Sequence, residues 1–206
     1  MTAIRDLNDL IASLRGFDQN DLISCAERLL RSDVDWAGVV LKAITGFSTV
    51  EFAHRATLLR VPGVQPWPFA LHVEPEQYSV VLNHYDKTHF VSSFEQGNIT
   101  PHIHHFSFCS LVLRGSLFEM LFANDGTDQE PRLRNVTQKR HKVGDVFTLY
   151  YPEFHCVIEA DDDTVTLMIR SRPLFSNPHI SATGVDAEIV ARQRQRIEQT
   201  LRGIHG

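Results

Sequence analysis

Two hydrophobic periods divide the chain. Up to about residue 46 the apolar positions recur every three or four residues, the spacing of a helix with one buried face. Ile4, Leu7, Leu10, Ile11 and Leu14 form one such stripe, and Gly16 stops it. Leu22, Ile23, Ala26, Leu29 and Leu30 form a second, behind a cap at Asp18 or Asn20. A short third helix is predicted from a cap at Asp33 or Asp35 through Trp36, Val40 and Ile44. Across 46–68, Pro62, Gly63, Pro66 and Pro68 break any long element. From Phe69 the period becomes two, the alternation of strands. Strands are predicted over 69–74, 78–85, 88–95, 102–106, 108–114, 116–123, 145–151, 154–159 and 164–170. They are short and separated by Gly, Pro, Asn and Asp, the pattern of an all-β sandwich or barrel. Segment 124–142 is polar and reads as a surface hairpin excursion, and Asp161, Asp162 and Asp163 mark a tight turn. Val185, Ile189, Ile197 and Leu201 give 185–203 the apolar stripe of a C-terminal helix. The expected organisation is a single compact domain: a helical segment over 1–46 packed on a β-barrel over 47–180, followed by a helix within 181–206.

Composition narrows the partners. The chain has 206 residues, 43% hydrophobic and 22% charged, which is ordinary globular usage and enough for one full core. A net charge of −5 gives no basic face for nucleic acid. The charged N-terminal stretch lacks the apolar core of a signal peptide, and no run reaches the roughly 20 apolar residues of a membrane span. Cys25, Cys109 and Cys156 are odd in number and far apart, so a reducing cytoplasm is expected.

The chemistry concentrates in Pro101-His102-Ile103-His104-His105 and in a later, isolated His155. Histidines at i and i+2 of a strand point to the same face, and a third from a distant strand can complete a face of three imidazole nitrogens. Such a set leaves coordination positions open, as a catalytic metal requires. The other reading of His102, His104 and His155 is polar interior residues of a barrel that has lost its metal. His105 alternates to the opposite side. His72, His84, His89 and His141 have no spaced partner and are not expected to be ligands.

The two segments around these histidines resemble the two-part signature of the cupin superfamily. The first, GNITPHIHHFSFCSLVLRGSL, supplies H-x-H and then Gly115; the second, KVGDVFTLYYPEFHCVIE, supplies Gly144 and, eleven residues on, His155. The resemblance spans residues 97–159 and implies a mostly β fold, a double-stranded β-helix or jelly-roll barrel. In one respect the chain departs from the signature. The position of its optional glutamate falls on Phe108 or Cys109, so the implied ligand set is three histidines with no carboxylate.

Among three-histidine cupins the chain is similar to the cysteine dioxygenase-like thiol dioxygenases. The likeness lies in the helical N-terminal region, in the lead-in QYSVVLNHYDKTHFVSSFEQGNITPHIHH, and in LVLRGSLFEMLFA and TVTLMIRSRP. That family binds the substrate carboxylate with an early-strand arginine, yet here no arginine lies between Arg60 and Arg114. Its late-strand serine–histidine–tyrosine set corresponds to Thr166, Met168 and Arg170.

The resemblance implies a mononuclear Fe(II) dioxygenase acting, with O₂, on a small anionic substrate other than free cysteine. Ni, Zn and Mn are alternative metals. Arg170 could clamp the anion through a bidentate pair, or could sit at the barrel mouth in a salt bridge. Phe108, Cys109, Thr166 and Met168 are the candidate pocket residues, with Phe106 and Phe147 beside them. Tyr85 and Tyr151, like Tyr150, are candidate hydrogen-bond donors to a bound ligand. Two other classes stay open. One is a non-redox metal cupin (isomerase, lyase or hydrolase) served by Glu119 or Glu153, and the other is a non-catalytic ligand-binding barrel. Either a monomer or a homodimer is compatible with the sequence.

Overall fold

The helices form where capping residues and apolar stripes coincide. The computed structural model describes residues 4–58, 67–87, 100–127, 130–174 and 187–204. Helix α1 (Leu7–Leu14) starts at Asp6, whose carboxylate accepts from the Asn8 and Asp9 amides. Helix α2 (Gln19–Leu30) follows Asp18, which accepts from the Asp21 amide, and α3 (Trp36–Gly46) follows Asp35, which accepts from Gly38. A fourth helix, α4 (Thr49–Thr57), occupies part of the stretch where prolines downstream argued against a long element. Ser48 caps it, and among its described side chains only Phe52 and Ala56 are deeply buried, too few to show a period in the sequence. The expected C-terminal helix is α5 (Ala187–Arg202). Its buried stripe is Val190, Ile197 and Leu201, while Ile189 is exposed, a correction of one position on that face; Val185 lies outside the described residues.

The described residues form eight strands: β1 (Trp67–Glu74), β2 (Tyr78–Tyr85), β3 (Phe108–Arg114), β4 (Ser116–Asn124), β5 (Leu133–Lys142), β6 (Val146–Leu149), β7 (Phe154–Ala160) and β8 (Thr164–Ser171). They form two antiparallel sheets, one in the order β1-β2-β8-β3-β6 and the other β5-β4-β7. The fold is a mostly β double-stranded β-helix with N-terminal helices and a C-terminal helix. The segment read as a hairpin excursion holds β5, ten residues paired along β4. Its side chains are exposed or half-buried apart from His141, so no apolar alternation marks it. The predicted strand 88–95 lies outside the described residues. Over 102–106 no continuous strand forms; His102 alone makes a bridge, to His155.

Alternation gives the five-stranded sheet two different faces. Leu71, Val80, Leu82, Cys109, Leu111, Val165, Leu167 and Ile169 join the helices in the main core. Cross-layer hydrogen bonds reinforce that packing: Arg31 donates to the Val146 carbonyl and Arg55 to those of Ala70 and Leu71. The other face looks into the barrel. There Tyr85, Leu117 and Ala160 close one end together with Phe147 and Val157. Helix α5 is fastened near that end. Gln193 meets His84 Nδ1 at 2.7 Å, His84 Nε2 meets Asp163 at 2.9 Å, and Arg196 binds Asp163 and Asp162.

The β3–β4 turn is conformationally demanding. Gly115 has φ +74°, and a β-carbon there would collide with the Thr164 hydroxyl. Thr164 cannot retreat, because it is fully buried with its hydroxyl between the Ser116 and Asp161 carbonyls. Gly115→Ala is therefore expected to cost about 1–3 kcal/mol of unfolding free energy. Chemical denaturation checks this, and an unchanged midpoint would contradict it.

Candidate metal centre

The three histidines of the sequence motif converge. His155 is the second residue of β7, and its backbone exchanges two hydrogen bonds with His102, of 2.9 and 3.0 Å. This pair fixes the 100–106 segment along the end of the three-stranded sheet. His104 then lies two residues on, and its Nε2 is 2.9 Å from His155 Nε2. One ligand nitrogen from each of His102, His104 and His155 falls within 4.8 Å of the others. Two nitrogens each ~2.1 Å from one metal, at a right angle, lie ~3 Å apart, so the close pair fits adjacent coordination positions. The donor set therefore fits a metal ion with open positions, and the three histidines can hold one.

Hydrogen bonds select the ring tautomers. His102 Nδ1 meets the Thr100 carbonyl at 3.1 Å, so this nitrogen donates and Nε2 keeps its lone pair. His155 Nδ1 donates to Glu119 Oε1 at 2.7 Å and likewise leaves Nε2 free to ligate. Burial lowers the basicity of both His102 and His104. For His104, burial together with repulsion from His155, His102 and Arg170 pushes the pKa down to about 3.

Glu119 is the residue that the cupin-like pattern did not identify. It sits on β4 between the flanking strands and is buried with His141 and His155. Its Oε2 accepts from His141 Nε2 at 2.8 Å. Burial alone would raise its pKa, but the hydrogen bonds from His141 and His155 outweigh that and hold the carboxyl at about 2. His141, with no spaced partner in sequence, stacks on Phe147 at 4.0 Å. No motif spacing links Glu119 to His141 or His155; only the pairing of β4 with β5 and β7 does.

The remaining candidates separate by strand parity. Phe108, at the signature's glutamate position, turns its ring toward His104 and His155, at 5.5 and 6.0 Å. Cys109 is the next residue and faces the helices, which removes it from the pocket expected for it. Burial pushes its thiol up to about 12. On β8, Thr166 and Met168 face the interior, where the Asn83 amide contacts both. Tyr85 is buried inside the barrel next to Thr166, and burial raises its pKa. Tyr151 is exposed at the rim, its ring 6.4 Å from that of His105, and does not join the histidine group. Tyr150 is exposed too, and the Glu153 carboxylate accepts from the Tyr150 amide.

Arg170, next to last in β8, lies beside this group. Its guanidinium lies over the Phe106 ring, 4.7 Å from the centroid, and Phe106 stacks on His104 at 4.9 Å. Among the described residues Arg170 forms no ion pair. Its buried Nε has no hydrogen-bond partner. Burial lowers its pKa to about 10, which leaves it charged at neutral pH. The strand end is tied to the histidine loop: the Ser171 amide donates to the Ser107 carbonyl, the Ser107 amide to the Ser171 hydroxyl, and the Leu174 amide to the His105 carbonyl.

The fold and site define a double-stranded β-helix whose three histidines can hold a metal. No protein-family model matches the chain, and no curated protein matches it. Among solved structures, hydroquinone 1,2-dioxygenase from Sphingomonas sp. TTNP3, with 4-hydroxybenzoate bound, aligns at 11% identity over 53% of this chain and 68% of its own, with a TM-score of 0.41. KdgF from Halomonas sp. aligns at 19% identity over 54% of this chain and 82% of its own, with a TM-score of 0.35. An uncharacterized conserved protein with a double-stranded β-helix domain, from Klebsiella pneumoniae, aligns at 17% identity over 62% of this chain and 88% of its own, with a TM-score of 0.33. At these scores the likeness says nothing about chemistry.

In the metal-free protein, His104 is expected to remain neutral at pH 5, well below the ordinary histidine midpoint of about 6.5. The sign follows from burial beside other positive groups, which disfavours the imidazolium. Imidazole resonances followed by NMR through a pH titration check this, and a midpoint near 6.5 would contradict it.

Proposed function

We propose that the chain is a mononuclear metal enzyme, an Fe(II)-dependent dioxygenase of small anionic substrates, related in chemistry to thiol dioxygenases but not selective for free cysteine. The observation that carries the reading is the three-imidazole group beside Arg170, a half-buried cation with no carboxylate partner among the described residues. When bound there, a redox-active metal supplies the O₂ activation that no side chain of the barrel can.

The protein's own part is binding and orientation. His102, His104 and His155 hold the metal through ring nitrogens. The hydrogen bonds to Thr100 and Glu119 keep two of those nitrogens unprotonated. Arg170, flat against Phe106, offers guanidinium N–H groups to a carboxylate or another planar anion. Phe106, Phe108 and Phe147 keep the space around the histidines apolar, which strengthens the attraction between Arg170 and an anion. No arginine occupies the early barrel strand, which argues against the substrate pose of a cysteine dioxygenase. Cys25, Cys109 and Cys156 are all free, which supports work in a reducing compartment.

The non-redox alternative needs a titratable group free to move a proton. Glu119 is committed to two imidazoles, and Glu153 is exposed and bonded to a backbone amide. Neither is placed as a general base, which favours the redox reading.

Anaerobic Fe(II) loading followed by an oxygen-electrode screen tests the proposal. The panel should contain thiol carboxylates and chelating non-thiol acids. Oxygen uptake is expected with at least one, and none with any member would sink the dioxygenase. With an active substrate, Arg170→Gln is expected to raise KM about 10-fold or more while changing kcat less, as for a lost charge-assisted hydrogen bond of ~1.5–3 kcal/mol. An unchanged KM would remove Arg170 from substrate binding.

A further inference from the structure

The signature's carboxylate position holds Phe108, yet a carboxylate has not left the site. Glu119 stands directly behind His155, one ring away from the ligand face. The strand register explains its reach. On β4, Leu121 pairs with His155 of β7 and Leu117 pairs with His141 of β5, so Glu119 lies diagonally between the two histidines, on the central strand of the sheet. All three side chains are about 95% or more buried. His141 is in turn held by its stack on Phe147, which belongs to the opposite sheet. The carboxylate is thus fixed from both sides and spanned by the two sheets.

We propose that Glu119, anchored by His141, is the positioning residue that sets the metal affinity and the net charge of the three-histidine centre. This rests on the reading of His102, His104 and His155 as metal ligands. A neutral ligand set leaves the full positive charge of a divalent ion without a compensating charge among its ligands. A carboxylate hydrogen-bonded to the far nitrogen of one ligand offsets that charge through the ring and makes the ring a stronger donor. It also fixes the His155 tautomer and ring plane, so that Nε2 points at the shared position. The contrast with His102 is informative, because its far nitrogen meets only the neutral carbonyl of Thr100. Among the described residues no other carboxylate hydrogen-bonds a histidine of this group. The chain therefore places its acidic group where it tunes the metal without occupying a coordination position, leaving more open positions than a four-ligand site.

The test uses Co(II) alone as the probe, with affinity measured by competition with a chelator and the ligand field by visible absorption. Wild type, Glu119→Gln and Glu119→Asp are compared, with the melting of each metal-free protein recorded beside them. Glu119→Gln is nearly isosteric but uncharged, and is expected to weaken Co(II) binding by about 10–100-fold with a changed spectrum. Glu119→Asp keeps the charge but draws it back by one methylene, and is expected to fall between the two. If Glu119→Gln does not fold, the aspartate variant alone decides, and equal affinity to wild type overturns the inference. Variants that melt lower but bind Co(II) with wild-type affinity and spectrum also overturn it, since that is the signature of a purely structural role. Wild type that binds no Co(II) removes the metal reading itself, and this inference with it.

Discussion

Two backbone hydrogen bonds, exchanged between His102 and His155, hold the whole site in register. Without that bridge the segment from Thr100 to Ser107 would have no fixed relation to the three-stranded sheet, and the histidine pair would be local decoration. With it, residues 53 apart in sequence share one ladder position. Strand alternation then does the rest. It sends Phe108, Thr166, Met168 and Arg170 into the barrel, and Cys109, Val165, Leu167 and Ile169 into the helix-backed core.

The parts legible in the sequence are those set by local spacing. The histidine pair, the Gly144–His155 interval and the short, largely apolar runs of β2, β3 and β8 are short-range patterns, and each can be read without knowing what lies opposite. Helices α1 to α3 were legible for the same reason, with acidic caps ahead of apolar stripes. Strand β5 was not, because a strand with both faces largely in water has no hydrophobic period to reveal it. Helix α4 was hidden by the small number of residues it buries.

Within the site, the misplaced residues have a common cause. The sequence segment places Cys109 beside Phe108, but adjacent strand residues cannot face the same side, and Cys109 joins the helix-backed core. The 102–106 segment is not a continuous strand, so parity could not be carried forward from His104. In the sequence Glu119 stands out only as a nearby acid. Its role depends on which strands flank β4 and in which register, and one of those strands was the missing β5. A buried carboxylate that answers two histidines from opposite neighbours is a property of the sheet, with no trace in any single segment.

The ties between Ser107 and Ser171, and between His105 and Leu174, join the end of β8 to the histidine loop at three hydrogen bonds. Arg170 and His104 are consequently parts of one mechanical piece, with Phe106 wedged between them. A force applied to the guanidinium is delivered to the imidazole without passing through solvent. At its far end β8 is braced by Thr164 and the Asp163–His84–Arg196 contacts, so the strand behaves as a beam fixed at its base and loaded at its tip.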